Sequence, residues 1–321
     1  MNQALSKKIG RLQIFCAVLV IIQHSRMSNT VLQDVVCGCL TRVAVPFFFV
    51  ISGALFYKSF DVSLIWAKRQ ITNRIRSLLV PYLFWSFFGA TIKAITSPEW
   101  LAPADFEWWK NVLGVYGIPA TAGHLWFVGE LMKFTIVGLP IGIAIRYLGL
   151  AYPLFCGCCY VAGFKAGHMS SLFWFTIGCW ASMNYDRIKG FATNRLAIIA
   201  AVMAALTVLL FVCTQNFVGK TMFGGFELCY SLSAMVALWV GFDVAKDALV
   251  WRYVDKCVPA AFFMYCFHVF LWRVPMPGFL TRAGFMVGMS LAVFFLWSAC
   301  MPKFMSVITG MRSERRKDYE K

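Results

Sequence analysis

The chain has 321 residues, 60% of them hydrophobic and only 14% charged, with a mean hydropathy of +0.70. So little charge on so much apolar surface excludes a soluble globular domain, and long apolar runs without strand-like alternation exclude a barrel. The net charge of +16 does not point to nucleic acid, because the basic residues alternate with apolar segments instead of forming one stripe.

The expected fold is all-α: a polytopic integral membrane protein in a lipid bilayer, with about ten transmembrane helices. A span needs roughly 17–25 apolar residues. Segments of that kind fall at about 9–26, 36–57, 77–96, 124–145, 147–164, 170–184, 196–214, 226–245, 258–274 and 284–308. The first lacks a small-residue cleavage site and leads directly into further spans, so no signal peptide is expected.

Lys and Arg give the orientation. Lys7, Lys8 and Arg11 precede the first span. Lys58, Lys68, Arg69, Arg74 and Arg76 follow the second. Arg146, then Arg187, Lys189 and Arg195, then Lys246, Arg252 and Lys256 mark later loops of the same side. The intervening loops carry isolated cations such as Arg26, Lys110 and Arg273. Both termini are therefore expected in the cytoplasm. Residues 1–311 read as one transmembrane domain and 312–321, with Arg312, Arg315, Arg316 and Lys317, as a basic cytoplasmic tail.

The twelve cysteines lie mostly within apolar spans, and neither Cys37-Gly-Cys39 nor Cys156-Gly-Cys158-Cys159 has zinc spacing with a matching His pair. They read as small hydrophobes, and no metal is assigned. The connection 97–123 is acidic and aromatic and suits the membrane interface, where Trp prefers to sit.

Polar groups inside spans are the functional candidates, because burying them in lipid is costly. They are His24 on the first span, Arg42 on the second, Glu130 and Lys133 on the fourth, and His268 on the ninth. His124 stands at the mouth of the fourth. At about 100° per residue, Gln13 and His24 share a face of the first helix, about 16 Å apart, and Arg11 starts nearly opposite. Arg42 calls for an acidic partner or an anionic ligand, and Glu130 is a candidate. Pro46 breaks the backbone ladder of the second span, and Ser52-Gly53 allows close helix approach. Arg74 and Arg76, at the cytoplasmic mouth of the third span, follow the positive-inside pattern and equally suit nucleotide phosphates.

Six pieces occur in order: His24; Arg42-Val-Ala-Val-Pro46-Phe-Phe-Phe-Val-Ile-Ser52-Gly53; Arg74-Ile-Arg76-Ser-Leu-Leu-Val-Pro81-Tyr82-Leu-Phe-Trp85; His124-Leu-Trp126-Phe127; Phe173-Trp-Phe-Thr-Ile-Gly178; and Phe263-Met-Tyr265-Cys-Phe-His268. In these the chain resembles the membrane acyltransferase-3 family of bacterial integral-membrane acyltransferases, nearly end to end. The resemblance implies a cytoplasmic acyl-CoA donor, usually acetyl-CoA, and an acceptor hydroxyl on a surface polysaccharide or lipid-linked sugar, in the cell inner membrane. It implies an Arg eleven positions before the first-helix His. His24 matches, and Gln13 stands at the Arg position. Arg11 is the nearest arginine that can reach back toward it. Arg74 and Arg76 match the family's basic pair loosely.

On this reading His24 is the general base and Arg42 stabilises developing charge. Gln13, Arg74 and Arg76 contact the acyl-CoA, and His124, Trp126, Glu130 and His268 line the substrate cavity. Two alternatives remain: a transporter or flippase of a glycan precursor, and a degenerate family member that does not turn over.

Overall fold

The computed structural model describes residues 3–28, 30–97, 106–114, 122–164, 166–214, 222–245 and 248–310. Every regular element among them is helical. In chain order the α-helices are α1 (Gln3–His24), α2 (Val31–Gly38), α3 (Ala44–Tyr57), α4 (Leu64–Arg74), α5 (Val80–Thr96), α6 (Phe106–Val112), α7 (Trp126–Ile136), α8 (Gly138–Leu148) and α9 (Ala151–Val161). There follow α10 (Ala166–Met183), α11 (Tyr185–Ile188), α12 (Asn194–Thr214), α13 (Gly224–Val244), α14 (Trp251–Cys257), α15 (Ala261–Leu271), α16 (Phe279–Cys300) and α17 (Pro302–Ile308). The tail 312–321 and most of the aromatic connection 97–123 lie outside the described residues.

Among the described residues, six helical runs are long and apolar enough to cross a bilayer: Val31–Tyr57, Leu64–Thr96, Asn194–Thr214, Gly224–Val244, Trp251–Leu271 and Phe279–Cys300. The stretch expected as one span over 124–145 is two helices, Gly123–Ile136 and Gly138–Leu148, and makes a seventh if taken together. Among the described residues, length and composition alone thus give six or seven candidate crossings, short of the ten expected. The difference has local causes. α1 is 22 residues long, but Lys7, Lys8 and Arg11 occupy its first half. α9 has eleven residues, about 16 Å, against a hydrocarbon core of about 30 Å.

The chain divides into two compact units. One comprises Met1–Val62, Pro140–Ala261 and Met276–Phe285; the other comprises Ser63–Leu139, Phe262–Pro275 and Met286–Lys321.

In the first unit α3 and α10 pack backbone to backbone, and glycine is what permits it. A Cβ on Gly53 would lie 2.1 Å from the Phe175 carbonyl oxygen, and one on Gly178 would lie 2.0 Å from that of Val50. Small residues are the usual means of close helix approach where lipid supplies no hydrophobic drive. α1 is tied in by its cations: Lys8 Nζ donates to Asp243 Oδ2 at 2.5 Å. Arg11 holds Asp255 with two bonds, Nε to Oδ1 at 2.7 Å and a terminal nitrogen to Oδ2 at 2.9 Å.

The second unit is organised around Trp85, fully buried on α5. Its ring meets Phe263 at 5.5 Å and Phe270 at 6.0 Å, and its Nε1 donates to the Ile308 carbonyl at 3.1 Å. A buried Trp needs such a partner for its N–H. Residues 74–76, expected in a loop, are instead part of an unbroken helical run. Between α4 and α5 that run widens into a π-helical turn, Ile75–Leu79. Pro81 follows, without an N–H and with a ring that crowds the carbonyl four residues back, which is a sufficient cause for a widened turn.

Candidate active site

His24 is the last residue of α1 and is exposed. The helix was expected to continue to 26. It stops because the next residues are captured locally. Ser25 Oγ donates to the Ile21 carbonyl at 2.7 Å. The Met27 and Ser28 amides both donate to Gln33 Oε1, at 2.8 and 3.1 Å. Arg26 pairs with Asp34, which is fully buried on α2. The chain beyond His24 is therefore pinned to the start of the next span. Gln13 is half-buried farther down α1. Arg11 does not reach back toward His24, because its guanidinium is held by Asp255 and lies 4.9 Å from the Trp251 ring.

Arg42 sits where the second span is broken. The run Val31–Tyr57 passes from α2 through a tight 3-10 turn, Leu40–Val43, into α3. Unwound backbone at membrane depth is tolerated only where its polar groups find partners. Here the Met222 amide donates to the Gly38 carbonyl at 3.0 Å, and Tyr230 Oη donates to the Leu40 carbonyl at 2.8 Å.

The partner of Arg42 is Glu227, not Glu130. A terminal nitrogen of Arg42 donates to Glu227 Oε1 at 2.8 Å across 185 residues of sequence. The other carboxylate oxygen accepts from Tyr160 Oη. The Phe223 ring centroid lies 5.0 Å from the guanidinium carbon. Glu227 is buried, and Arg42 is largely so. Glu130 is instead satisfied on its own helix, accepting from Lys133 Nζ at 2.7 Å one turn on.

The second unit brings two of the expected residues together. His124 is buried and His268 fully so, with ring centroids 5.7 Å apart. His124 Nε2 is 2.9 Å from the Cys266 carbonyl, and His268 Nδ1 is 3.1 Å from that of Met264. Tyr265 Oη donates to the His124 carbonyl, fastening α15 to the start of α7. Trp126 is half-buried two residues along, and Glu130 one turn further. Arg74 closes α4, half-buried, and Arg76 is exposed on the π-helical turn.

A model of the acyltransferase-3 family, described as an acyltransferase domain, matches residues 8–302. The chain belongs to that family. It is a multi-pass membrane acyltransferase, and the matched span contains every candidate from Gln13 to His268. No curated protein and no solved structure gives a match.

In this acyltransferase, Glu227, Tyr160, Asp255 and Asp34 escaped the reading of the sequence. Glu227 had a signal: it is an acid at the head of the apolar run 226–245. Tyr160 had none, because one tyrosine in an aromatic-rich membrane chain is ordinary.

Proposed function

We propose that this acyltransferase moves an acyl group, acetyl by preference, from cytoplasmic acetyl-CoA to a hydroxyl of a surface polysaccharide or lipid-linked sugar. Its setting is the cell inner membrane. The observation that carries the reading is the family match over 8–302, within which His24 is the last residue of α1.

His24 takes the proton of the acceptor hydroxyl. The oxygen forms the ester bond to the acyl carbon as the carbon–sulfur bond breaks, and coenzyme A leaves as the thiol, taking up a proton. A sugar hydroxyl is a weak nucleophile near neutral pH, and a positioned base speeds such a step by about 10²–10⁴-fold. Arg42 stabilises the negative charge that develops on the acyl oxygen. Arg74 and Arg76, two cations at the open π-helical turn, suit the phosphates of the donor in charge and in donor count. The resemblance assigns Gln13 to the pantetheine arm of the donor and His124, Trp126, Glu130 and His268 to the acceptor.

Both termini belong in the cytoplasm on this reading. The alternation of cation-rich and cation-poor loops supports this. For ten crossings, α1, α9 and α10 must join the seven. The test of function is to delete the gene in its native host, restore it as wild type or His24→Ala, and measure glycan O-acetyl content by mass spectrometry. Full acetylation with a well-inserted His24→Ala protein ends the base role. Gln13 favours a second reading, a member that binds without turnover. If wild type is inert and Gln13→Arg acquires measurable transfer, that second reading holds.

A further inference from the structure

The proposed function uses Arg42 and says nothing of what holds it. The structure surrounds this guanidinium with a chain of groups from three elements of the first unit. The Gly224 amide at the start of α13 donates to Tyr160 Oη at 3.1 Å. Tyr160, on α9, donates to one oxygen of Glu227. The other oxygen accepts from Arg42 at 2.8 Å. Arg42 itself rides on the 3-10 break between α2 and α3. Arg42 Nε is buried and has no hydrogen-bond partner among the described residues.

We infer that Glu227 and Tyr160 are positioning residues for transfer, acting through Arg42; the inference rests on the role given to Arg42 above. Three physical points carry it. An arginine side chain has about 2 kcal/mol of rotamer entropy to lose before its donors can meet a developing charge at a fixed point. A carboxylate on one terminal nitrogen removes much of that freedom and leaves other donors for a reacting group. A carboxylate in a buried site would itself swing unless its second oxygen were held, and Tyr160 Oη holds it. The tyrosine is fixed in turn by a backbone amide that α13 leaves unused in its first turn. The order of the groups is therefore amide, phenol, carboxylate, guanidinium, each satisfied by the next. A simple structural ion pair needs only the last two.

The test uses membrane vesicles from the native host with radiolabelled acetyl-CoA, following incorporation into glycan as a function of acetyl-CoA concentration. Insertion is checked by detergent size-exclusion of the fluorescently tagged full chain. Tyr160→Phe removes one hydroxyl, and the expected result is a fall in kcat of about 3–10-fold at unchanged KM for acetyl-CoA. Glu227→Gln is expected to lose about 10²-fold in kcat, with Glu227→Asp recovering part of it. The exchanged pair Arg42→Glu with Glu227→Arg is expected to restore a monodisperse protein without restoring transfer. Where Glu227→Gln fails to insert, Tyr160→Phe and the exchanged pair decide the matter. Unchanged kcat in Tyr160→Phe, or transfer recovered by the exchanged pair, overturns the inference and leaves a structural ion pair. Arg42→Gln separates the two layers. If it retains full transfer, the role of Arg42 fails. If it abolishes transfer while well-inserted Glu227→Gln keeps it, only the positioning role fails. A wild type and a Gln13→Arg variant that both incorporate no label sink the donor assignment itself.

Discussion

At the scale of single residues, several charges inside the helical body are held in pairs. Arg11 on Asp255, Arg26 on Asp34 and Arg42 on Glu227 are all at least partly withdrawn from solvent. Breaking one partner of such a pair costs more than the pair contributes, because it leaves a buried charge uncompensated, by about 3–5 kcal/mol. Asp34→Ala should therefore lower the thermal stability of the purified protein more than Lys189→Ala, whose pair with Asp186 is exposed. A differential melting curve in detergent reads the difference, and equal shifts would contradict it. His24 is exposed at the end of α1, so His24→Ala should leave the melting curve where it is while removing about 10²–10⁴-fold of transfer.

At the scale of elements, two contacts depend on backbone geometry. α3 and α10 touch through Gly53 and Gly178, and any Cβ there meets a carbonyl oxygen. Gly178→Ala should cost about 1–3 kcal/mol through forced helix separation. Gly190→Ala, where open space surrounds the added carbon, serves as the control. Detergent melting of both variants checks this, and indistinguishable curves would refute the contact. The second case is the π-helical turn Ile75–Leu79 ahead of Pro81. Pro81→Ala restores an N–H and removes the ring, so the turn can tighten toward a regular helix and rotate Arg74 and Arg76. The expected outcome is a several-fold rise in KM for acetyl-CoA with stability kept. An unchanged KM would remove these arginines from donor binding.

At the scale of the whole molecule, the loop charges make a topological statement that the helices alone do not. Reporter fusions after residue 60 and at the C-terminus should read cytoplasmic, and a fusion near 276 should read external. Agreement requires an even number of crossings after residue 60, which the bent pair 123–148 supplies as a sixth run beside the five longer ones; a further reporter at the N-terminus reading cytoplasmic would give α1 a spanning role. A C-terminal reporter on the external side would end the ten-span arrangement.

Composition and periodicity determined that this is an all-helical membrane protein, because lipid admits no other way to satisfy so long an apolar backbone among candidates without strand alternation. The ordered pieces from His24 to His268 determined the family. The close approach at Gly53 was also legible, since small residues near a proline mark a packed helix. Partners were not legible. Arg42 required an acid, and the sequence pointed to Glu130; the acid that meets it is Glu227, which α13 carries to the break in the second span. Arg11 looked available to His24 until Asp255 was found on it. The π-helical turn at Arg76 and the division of 123–148 into two helices were equally hidden. Helix formation is written in local spacing, over one or two turns. Which side chains then meet depends on the packing of segments up to 244 residues apart, and only the tertiary structure decides that.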